Sequence, residues 1–245
     1  MKILILAAGY ATRLYPLTKH WPKPLLLVKE KPIIAHIIEK VDSIEDVNEI
    51  IIVSNDKFFH QFEDWAKNAD FKNKITVIND KTTSEHDRLG AIGDMNFAIN
   101  EVDIKDDLMV IGGDNLFSFD LNKFSEFVKQ KKTMCAVGVY DIKNPDMVNK
   151  YGVVTVDESK KIINFQEKPE KSDSTLISMC VYFFSAKGLN LFKEYIDLKD
   201  CHDTSGDYIK WLCQKTEVLG YEFNGVWYDI GDIVTFYHAS VTFNG

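Results

Sequence analysis

The sequence predicts an α/β fold with a mostly parallel central sheet, helices on both faces and a small antiparallel addition in the C-terminal part. Three observations carry this prediction. Apolar runs of strand length recur over about the first 140 residues. Segments with the apolar spacing of helices lie between them, and such alternation is typical of a parallel sheet. After Tyr140 the runs are shorter and are separated by charged turns, which favours antiparallel pairing.

The strands of the first part are nearly continuous apolar runs, which indicates burial on both faces of the sheet. They are expected at residues 3–6, 50–53, 75–78, 108–111 and 135–140, with helices at 32–41, 58–66, 91–99 and 121–130. In the helix at 32–41, for example, Ile33, Ile34, Ile37 and Ile38 form one apolar face. Such a Rossmann-like sheet binds ligands at the carboxyl ends of its strands.

The second part is expected to pack on the first and to form a cleft with it. Strands are predicted at 152–156, 162–167, 179–184 and 221–223, and helices at 189–195, 207–215 and 233–241. No linker, repeat or low-complexity tract interrupts the chain. We therefore expect residues 1–245 to form one domain with two parts, 1–140 and 141–245.

Composition excludes several classes of function. The net charge of −8 is the wrong sign for a nucleic-acid surface. No apolar stretch is long enough to cross a membrane, and the N-terminus is a strand pattern, so we expect a cytoplasmic protein without a membrane partner. The four cysteines, Cys135, Cys180, Cys201 and Cys213, are dispersed and indicate neither a disulfide framework nor a zinc site.

The first candidate site follows the first strand. Ala7-Ala8-Gly9 lets the main chain approach a ligand closely, and exposed amides of such a loop suit phosphate oxygens. Arg13 and Lys23, the latter between two prolines, add positive charge. The spacing excludes a P-loop and a dinucleotide fingerprint. The alternative for the loop alone is an ordinary strand-to-helix turn.

Two later motifs place an acid beside glycine. Asp114 follows Gly112 and Gly113 at the end of a predicted buried strand, where a carboxylate is suited to Mg²⁺ together with phosphate oxygens. Asp229, after an aromatic pair, is a candidate for the second magnesium ligand. The alternatives are turn aspartates and, for Asp232, a cap of the last helix.

A third motif lies between these two. Tyr151-Gly152 is followed by Glu167-Lys168, in which the lysine is a candidate for a second phosphate and the glutamate for a hydroxyl. A charged turn is the alternative.

Taken in order, these motifs resemble the sugar-phosphate nucleotidylyltransferase family, of the nucleotide-sugar pyrophosphorylase type in its short single-domain form. The chain departs from the family signature at Tyr10 and Ala11, where a small residue and glycine are usual, and at Cys180, where many relatives have glycine. The segment 87–94 does not match thymidine-type or glucose-type members, so the nucleobase stays open. Because Gly245 follows soon after the Asp229 motif, we do not expect the repeated left-handed helix that some relatives append.

The resemblance implies a role for each motif residue, with residues 1–140 as the nucleotide-binding part and 141–245 as the acceptor-binding part. Catalytic residues would be Arg13, Lys23 and Asp114, and Mg²⁺ would be held by Asp114 and Asp229. Nucleotide-binding residues would be Ala7, Ala8, Gly9, Tyr10, Thr12, Arg13, Lys23, Asp87, Arg88, Gly90 and Asp114. Acceptor-binding residues would be Asn115, Tyr151, Gly152, Glu167, Lys168 and Tyr182.

The implied reaction joins a sugar 1-phosphate to a nucleoside triphosphate and releases pyrophosphate, as in nucleotide-sugar biosynthesis. Two alternatives stay open: a cytidylyltransferase acting on a non-sugar phosphate or phosphonate, such as phosphocholine or an inositol phosphate, and a non-catalytic regulatory protein that binds nucleotide. The partners are expected to be these small molecules, without nucleic acid, and a homo-oligomer is compatible with the pattern.

Overall fold

The structure is a computed structural model, and it describes residues 1–198 and 204–244, so Cys201 lies outside the described residues. Its strands are β1 Lys2–Leu6, β2 Leu27–Val28, β3 Lys31–Pro32, β4 Glu49–Ser54, β5 Ile75–Asn79, β6 Leu108–Gly112, β7 Asn115–Phe117, β8 Cys135–Asp141, β9 Gly152–Val156, β10 Ile162–Glu167, β11 Leu176–Phe184, β12 Val218–Glu222 and β13 Trp227–Asp229. Its α-helices are α1 Ile33–Asp42, α2 Phe59–Asn68, α3 Gly90–Glu101, α4 Leu121–Lys131, α5 Leu189–Ile196, α6 Ser205–Lys215 and α7 Ile233–Thr242.

The predicted fold class is confirmed. Strands β5, β4, β1 and β6 form the parallel run, and the register aligns Leu6 with both Val53 and Gly112, so three strands end at one edge. Buried side chains of α1, α2 and α4 belong to the apolar cluster on one face, and those of α3, α5 and α6 to the cluster on the other. Burial on both faces explains why these strands are continuous apolar runs.

The antiparallel addition belongs to the same sheet. Strand β11 pairs antiparallel with β6, with Val181 opposite Ile111, and then with β8 and β9. Strand β8 was expected in the parallel first part, but it pairs antiparallel with β11 and parallel with β12. An apolar run indicates burial without indicating the neighbouring strand, so the sequence pattern could not reveal this.

Short elements complete the cleft. The two-strand ribbon of β7 and β13 was not predicted as strand, and it places Asn115 opposite Asp229. Helix α7 begins as expected at Asp232, whose Oδ1 accepts a hydrogen bond from the Thr235 amide at 2.7 Å. No helix within the described ranges has the length and apolar character needed to cross a membrane.

Candidate active site

The candidate site lies at the sheet edge where β1 and β6 end together. The Gly113 amide donates to the Leu6 carbonyl at 2.9 Å, which ties the two strand ends to each other. A Cβ at Gly113 would lie 2.8 Å from that carbonyl, so a side chain there would push the strands apart. Glycine is therefore required where the two loops of the site meet.

The loop after β1 forms a cavity of about 250 Å³, which we call the phosphate cavity. Ala11 has a left-handed backbone with φ 49°, a conformation that suits glycine better, and its carbonyl accepts from the Thr18 hydroxyl at 2.7 Å. Arg13 is exposed at the cavity and has no hydrogen bond or ion pair within the described part of the chain. The lining residues predicted for nucleotide are Ala7, Gly9, Tyr10, Thr12, Arg13, Lys23, Arg88 and Asp114.

Lys23 connects the phosphate cavity to the rest of the site. Its Nζ donates to Asp114 Oδ2 at 2.7 Å and to the Ile230 carbonyl at 2.9 Å. Burial disfavours the ionised Asp114, but Lys23, with a smaller contribution from Arg13, holds the pKa of Asp114 below its usual value. Asp114 is therefore a carboxylate near neutral pH.

Asp229 is the second acid of the site, on the ribbon beside Asp114. Burial raises the pKa of Asp229 to about 6, and the charge of Asp114 adds to this, while Lys23 and Arg13 oppose it. Two carboxylates with this much mutual repulsion are poised for a cation between them.

Asn115 supports this ribbon from inside. It is 3% exposed; its Oδ1 accepts from Trp227 Nε1 at 2.7 Å and its Nδ2 donates to the Gly112 carbonyl at 3.1 Å. With its amide engaged at both ends, Asn115 orients Trp227 and the Asp114 turn. Its predicted contact with the acceptor stays a prediction.

A cavity of about 330 Å³ adjoins the acids on the side of the antiparallel strands, and we call it the acceptor cavity. All six residues predicted for the acceptor line it: Asn115, Tyr151, Gly152, Glu167, Lys168 and Tyr182. Sequence reasoning missed Lys150, Ser205, Gly206 and Trp227 as lining residues, and Cys180, noted there as a departure from the family pattern, also lines the cavity. The cap pattern from Thr204 to Asp207 could have indicated Ser205 and Gly206, because it predicts a helix start.

Glu167 stands over the start of α6. A Cβ at Gly206 would overlap its carboxylate, so only glycine leaves the room that Glu167 occupies. Lys168 Nζ lies 3.4 Å from Glu167 Oε1 and remains exposed. Lys168 has φ 44°, which is again a left-handed backbone. The acceptor cavity thus presents a carboxylate and an ammonium side by side.

A third cavity, of about 390 Å³, lies beside the phosphate cavity and is mostly apolar; we call it the nucleoside cavity. Ala8, Gly9, Arg88 and Gly90 of the predicted nucleotide set line it. Asp114 lines all three cavities. It therefore stands where the three cavities meet.

Asp87 is the predicted residue that lines none of these three cavities. Its carboxylate accepts hydrogen bonds from the amides and hydroxyls of Thr83 and Ser84 at 2.7–3.0 Å. The Thr83 amide, the first of these donors, lowers the pKa of Asp87. Asp87 orders the loop before α3, and a direct contact with nucleotide stays a prediction.

Residues 2–244 match the model of the Nucleotidyl transferase family. The chain belongs to this family. The family predicted from the sequence motifs is therefore confirmed. Over 231 residues the chain is 35% identical to the bifunctional protein GlmU of Methanocaldococcus jannaschii, covering 94% of this chain and 51% of that protein. It is 32% identical over 233 residues to a Sulfolobus acidocaldarius protein proposed to be a mannose-1-phosphate guanyltransferase, covering 93% and 59%.

Solved structures of this family share the architecture. A Bacillus anthracis protein proposed to be a glucose-1-phosphate thymidylyltransferase, crystallised with sucrose, has a TM-score of 0.85 and 25% identity and covers 100% of this chain and 97% of its own. A UDP-glucose pyrophosphorylase bound to UDP-glucose has a TM-score of 0.81 at 21% identity, covering 98% and 96%. The chain spans about half the length of the GlmU relatives that it matches.

Cys180, like Ala11, is a position where the sequence motifs led us to expect glycine, and both residues have a left-handed backbone. It sits at a bulge of β11 with φ 50°, between the acceptor and nucleoside cavities. Burial raises the pKa of its thiol to about 12, so the group is uncharged and unreactive near neutral pH. The Cys180 side chain lines both of these cavities.

The family's use of Mg²⁺ can be tested against the donor set of this nucleotidyl transferase. Within residues 1–198 and 204–244, no three His, Cys, Asp or Glu side chains converge as a metal site. Magnesium, however, is commonly held by one or two carboxylates together with phosphate oxygens and water. The mutually repelling Asp114 and Asp229 fit that requirement once a triphosphate supplies the remaining ligands.

Proposed function

We propose that the chain transfers a nucleotidyl group from a nucleoside triphosphate to a sugar 1-phosphate, giving a nucleoside diphosphate sugar and pyrophosphate. The observation that carries the proposal is the meeting of the phosphate and acceptor cavities at Asp114, to which Lys23 of the phosphate cavity donates a hydrogen bond. Each cavity offers cations, Arg13 and Lys23 in the first, Lys150 and Lys168 in the second. Family membership and the relatives' names support the same reaction.

The reaction needs little side-chain chemistry beyond positioning. The attacking group is an oxygen of the acceptor phosphate, whose second pKa is about 6, so it is largely ionised at neutral pH. It attacks the α-phosphorus, a bond to the bridging oxygen breaks, and pyrophosphate leaves with the electron pair. The protein's task is to hold two polyanions in line against their repulsion.

The residues divide this task between them. Amides of residues 8–11 and the Arg13 guanidinium would hold the β- and γ-phosphates, and Lys23 would sit near the α-phosphate, where charge develops. Lys168 and Lys150 would hold the acceptor phosphate, and Glu167 would accept from a sugar hydroxyl. Bound Mg²⁺, held by Asp114 and Asp229, would neutralise phosphate charge.

Pyrophosphate release tests the proposal. The full chain would be assayed with each common nucleoside triphosphate, Mg²⁺ and a panel of sugar 1-phosphates, with phosphocholine and inositol phosphate as non-sugar acceptors. We expect release that requires both substrates and the metal. Pyrophosphate release with a non-sugar phosphate, and with no sugar 1-phosphate, would show that the acceptor is not a sugar. Nucleotide binding without pyrophosphate release in any combination would favour a regulatory protein.

A further inference from the structure

Two acids at the back of the nucleoside cavity have no role in the reaction above. Asp80 follows β5 and Asp94 lies in the second turn of α3, and they are only 6% and 7% exposed. Their carboxyl groups are in hydrogen-bonding contact, yet Asp80 Oδ2 and Asp94 Oδ1 have no donor among the described residues. Two buried carboxylates in contact would repel strongly unless a proton lies between them.

One proton accounts for both unpartnered oxygens. Burial raises the pKa of Asp94 to about 8, and the neighbouring charge of Asp80 adds to this. Asp80 is the better anion, because its Oδ1 already accepts from the Thr82 amide at 2.7 Å and the Thr82 hydroxyl at 2.8 Å. Asp94 is therefore the acid that donates, and Asp80 the carboxylate that accepts.

The direction of these hydrogen bonds extends to the phosphate cavity. Since the Thr82 hydroxyl donates to Asp80, it accepts from the Tyr10 hydroxyl, 3.3 Å away. Tyr10 is 4% exposed and lies between Gly9 and Ala11 in the loop that lines the phosphate cavity. The chain Asp94, Asp80, Thr82, Tyr10 thus joins α3 to that loop.

We propose that Asp94 and Asp80, sharing one proton, form a positioning pair that holds the Gly9–Ala11 loop, through Thr82 and Tyr10, in the conformation that binds triphosphate. The proposal rests on the proposed function only in taking this loop as the triphosphate site. It also gives a reason for a tyrosine at position 10, where the family signature has a small residue.

Besides burial, the neighbouring group that raises the pKa of Asp94 is Asp80. Burial, with a smaller contribution from the charge of Asp87, raises the pKa of Asp80. Burial also raises the pKa of Tyr10, and the charges of Asp87, Asp80 and Asp56 add to this. Strands β1 and β4 present apolar residues to α3. On the neighbouring helices α5 and α6, Asp207 is hydrogen-bonded to Thr204. The other charged side chains named on these helices are exposed: Lys193, Glu194, Lys210 and Lys215. The other charged residues of the nucleoside cavity are Arg88, Asp114, Glu167 and Lys168.

Loss of the proton from Asp94 should change both stability and triphosphate binding in a defined direction. The folded pKa of Asp94 is above the value near 3.9 expected in the unfolded chain, so the folded state holds a proton that the unfolded state releases. The free energy of unfolding should fall as pH rises from about 4 to 8. Above about pH 8 the two charges separate the pair, Thr82 and Tyr10 shift, and triphosphate binding weakens by about tenfold per pH unit.

The test uses inorganic tripolyphosphate with Mg²⁺, a probe that needs no knowledge of the nucleobase. Its dissociation constant for the full chain would be measured by calorimetry between about pH 6.5 and 9.5, for the parent and for Asp94→Asn. Asparagine donates to Asp80 without titrating. We expect the affinity ratio of parent to variant to fall about fivefold between pH 8 and 9, because ionisation of the probe cancels in the ratio.

Two further variants keep the outcome decisive. Asp103→Asn, an exposed change on the turn after α3, should follow the parent at every pH. Tyr10→Phe should bind tripolyphosphate several-fold more weakly near pH 7 and lose the added weakening above pH 8. A constant ratio for Asp94→Asn, or parental binding by Tyr10→Phe, would overturn the positioning pair while leaving the triphosphate site in place.

A parent that binds no tripolyphosphate at any pH would overturn both proposals.

The unfolding free energy, measured without ligand, tests the shared proton independently of binding. If the pair shares a proton, the unfolding free energy of the parent falls from about pH 5 to 8 and that of Asp94→Asn falls less. Identical slopes would mean that Asp94 is not protonated in the folded chain.

Discussion

The two walls of the cleft are built in different ways. The wall that we propose for the nucleotide uses loops after parallel strands, and their small residues, Ala7, Gly9 and Ala11, bring the main chain to the phosphate cavity. The acceptor wall uses side chains that project from antiparallel strands and nearby loops, among them Tyr151, Glu167 and Tyr182. The first wall combines closely approaching backbone with a few charged side chains such as Arg13 and Lys23, whereas the second consists mainly of side chains.

This difference has a physical reason. Every nucleoside triphosphate carries the same phosphates, and backbone amides bind them whatever the base. Acceptors differ in the placement of hydroxyls, and only side chains of defined shape and charge distinguish them. Substitutions of Asp114 or Lys23, which lie between the two walls, should therefore impair the reaction of both substrates. Substitutions in the acceptor wall should change the KM of one substrate, and substitutions that change the loop backbone should mainly change stability.

Asp114→Asn should have the largest effect, because Asp114 borders all three cavities and pairs with Lys23. We expect turnover to fall by about three orders of magnitude at any Mg²⁺ concentration. Pyrophosphate release would be measured against Asp120→Asn, which keeps its cap of α4 and should be fully active. Full activity of Asp114→Asn would place the metal elsewhere.

Lys23→Ala should come next, with turnover lower by about two orders of magnitude, since it removes the cation beside the α-phosphate. The fold should survive, because Lys23 is only partly buried and its neighbours Pro22 and Pro24 keep the turn. Circular dichroism and pyrophosphate release would be compared with those of Lys19→Ala, an exposed neighbour. Parental turnover would remove Lys23 from the mechanism.

Glu167→Gln should act on one substrate only. Loss of the charge weakens a hydrogen bond to an acceptor hydroxyl, so the acceptor KM should rise about tenfold while the triphosphate KM changes little. Glu170→Gln, an exposed change outside the acceptor cavity, is the matched control. Equal increases in both KM values would mean that the two walls are not independent.

Ala11→Gly should have the smallest effect. Glycine relieves the left-handed backbone at φ 49° but gains freedom in the unfolded chain, so the unfolding free energy should change by less than about 1 kcal/mol. Ala35→Gly, within α1, should instead lose about 1 kcal/mol. Denaturant titration compares them. A large loss for Ala11→Gly would mean that the alanine methyl packs against the loop.

The sequence predicted the parallel half well, because a strand that is buried on both faces needs a continuous apolar run such as Ile50 to Val53. It missed the pairing of β8 and the ribbon of β7 and β13, because a short or uniformly apolar segment does not indicate which strand it pairs with. Among the site residues, the sequence could not indicate that the Asp87 carboxylate accepts hydrogen bonds from its own loop, and its predicted contact with nucleotide stays a prediction.

By itself the sequence determined the fold class, the family and most of the cleft residues, because close approach to phosphate demands small residues and cations at set places along the chain. Tertiary structure alone decided which side chains meet. Only the folded sheet brings Asp114 to Lys23 and Asp229, and only it closes Asp80 on Asp94 and links them to Tyr10. Burial and mutual repulsion, which set the charge of these acids, arise from residues far apart in the chain.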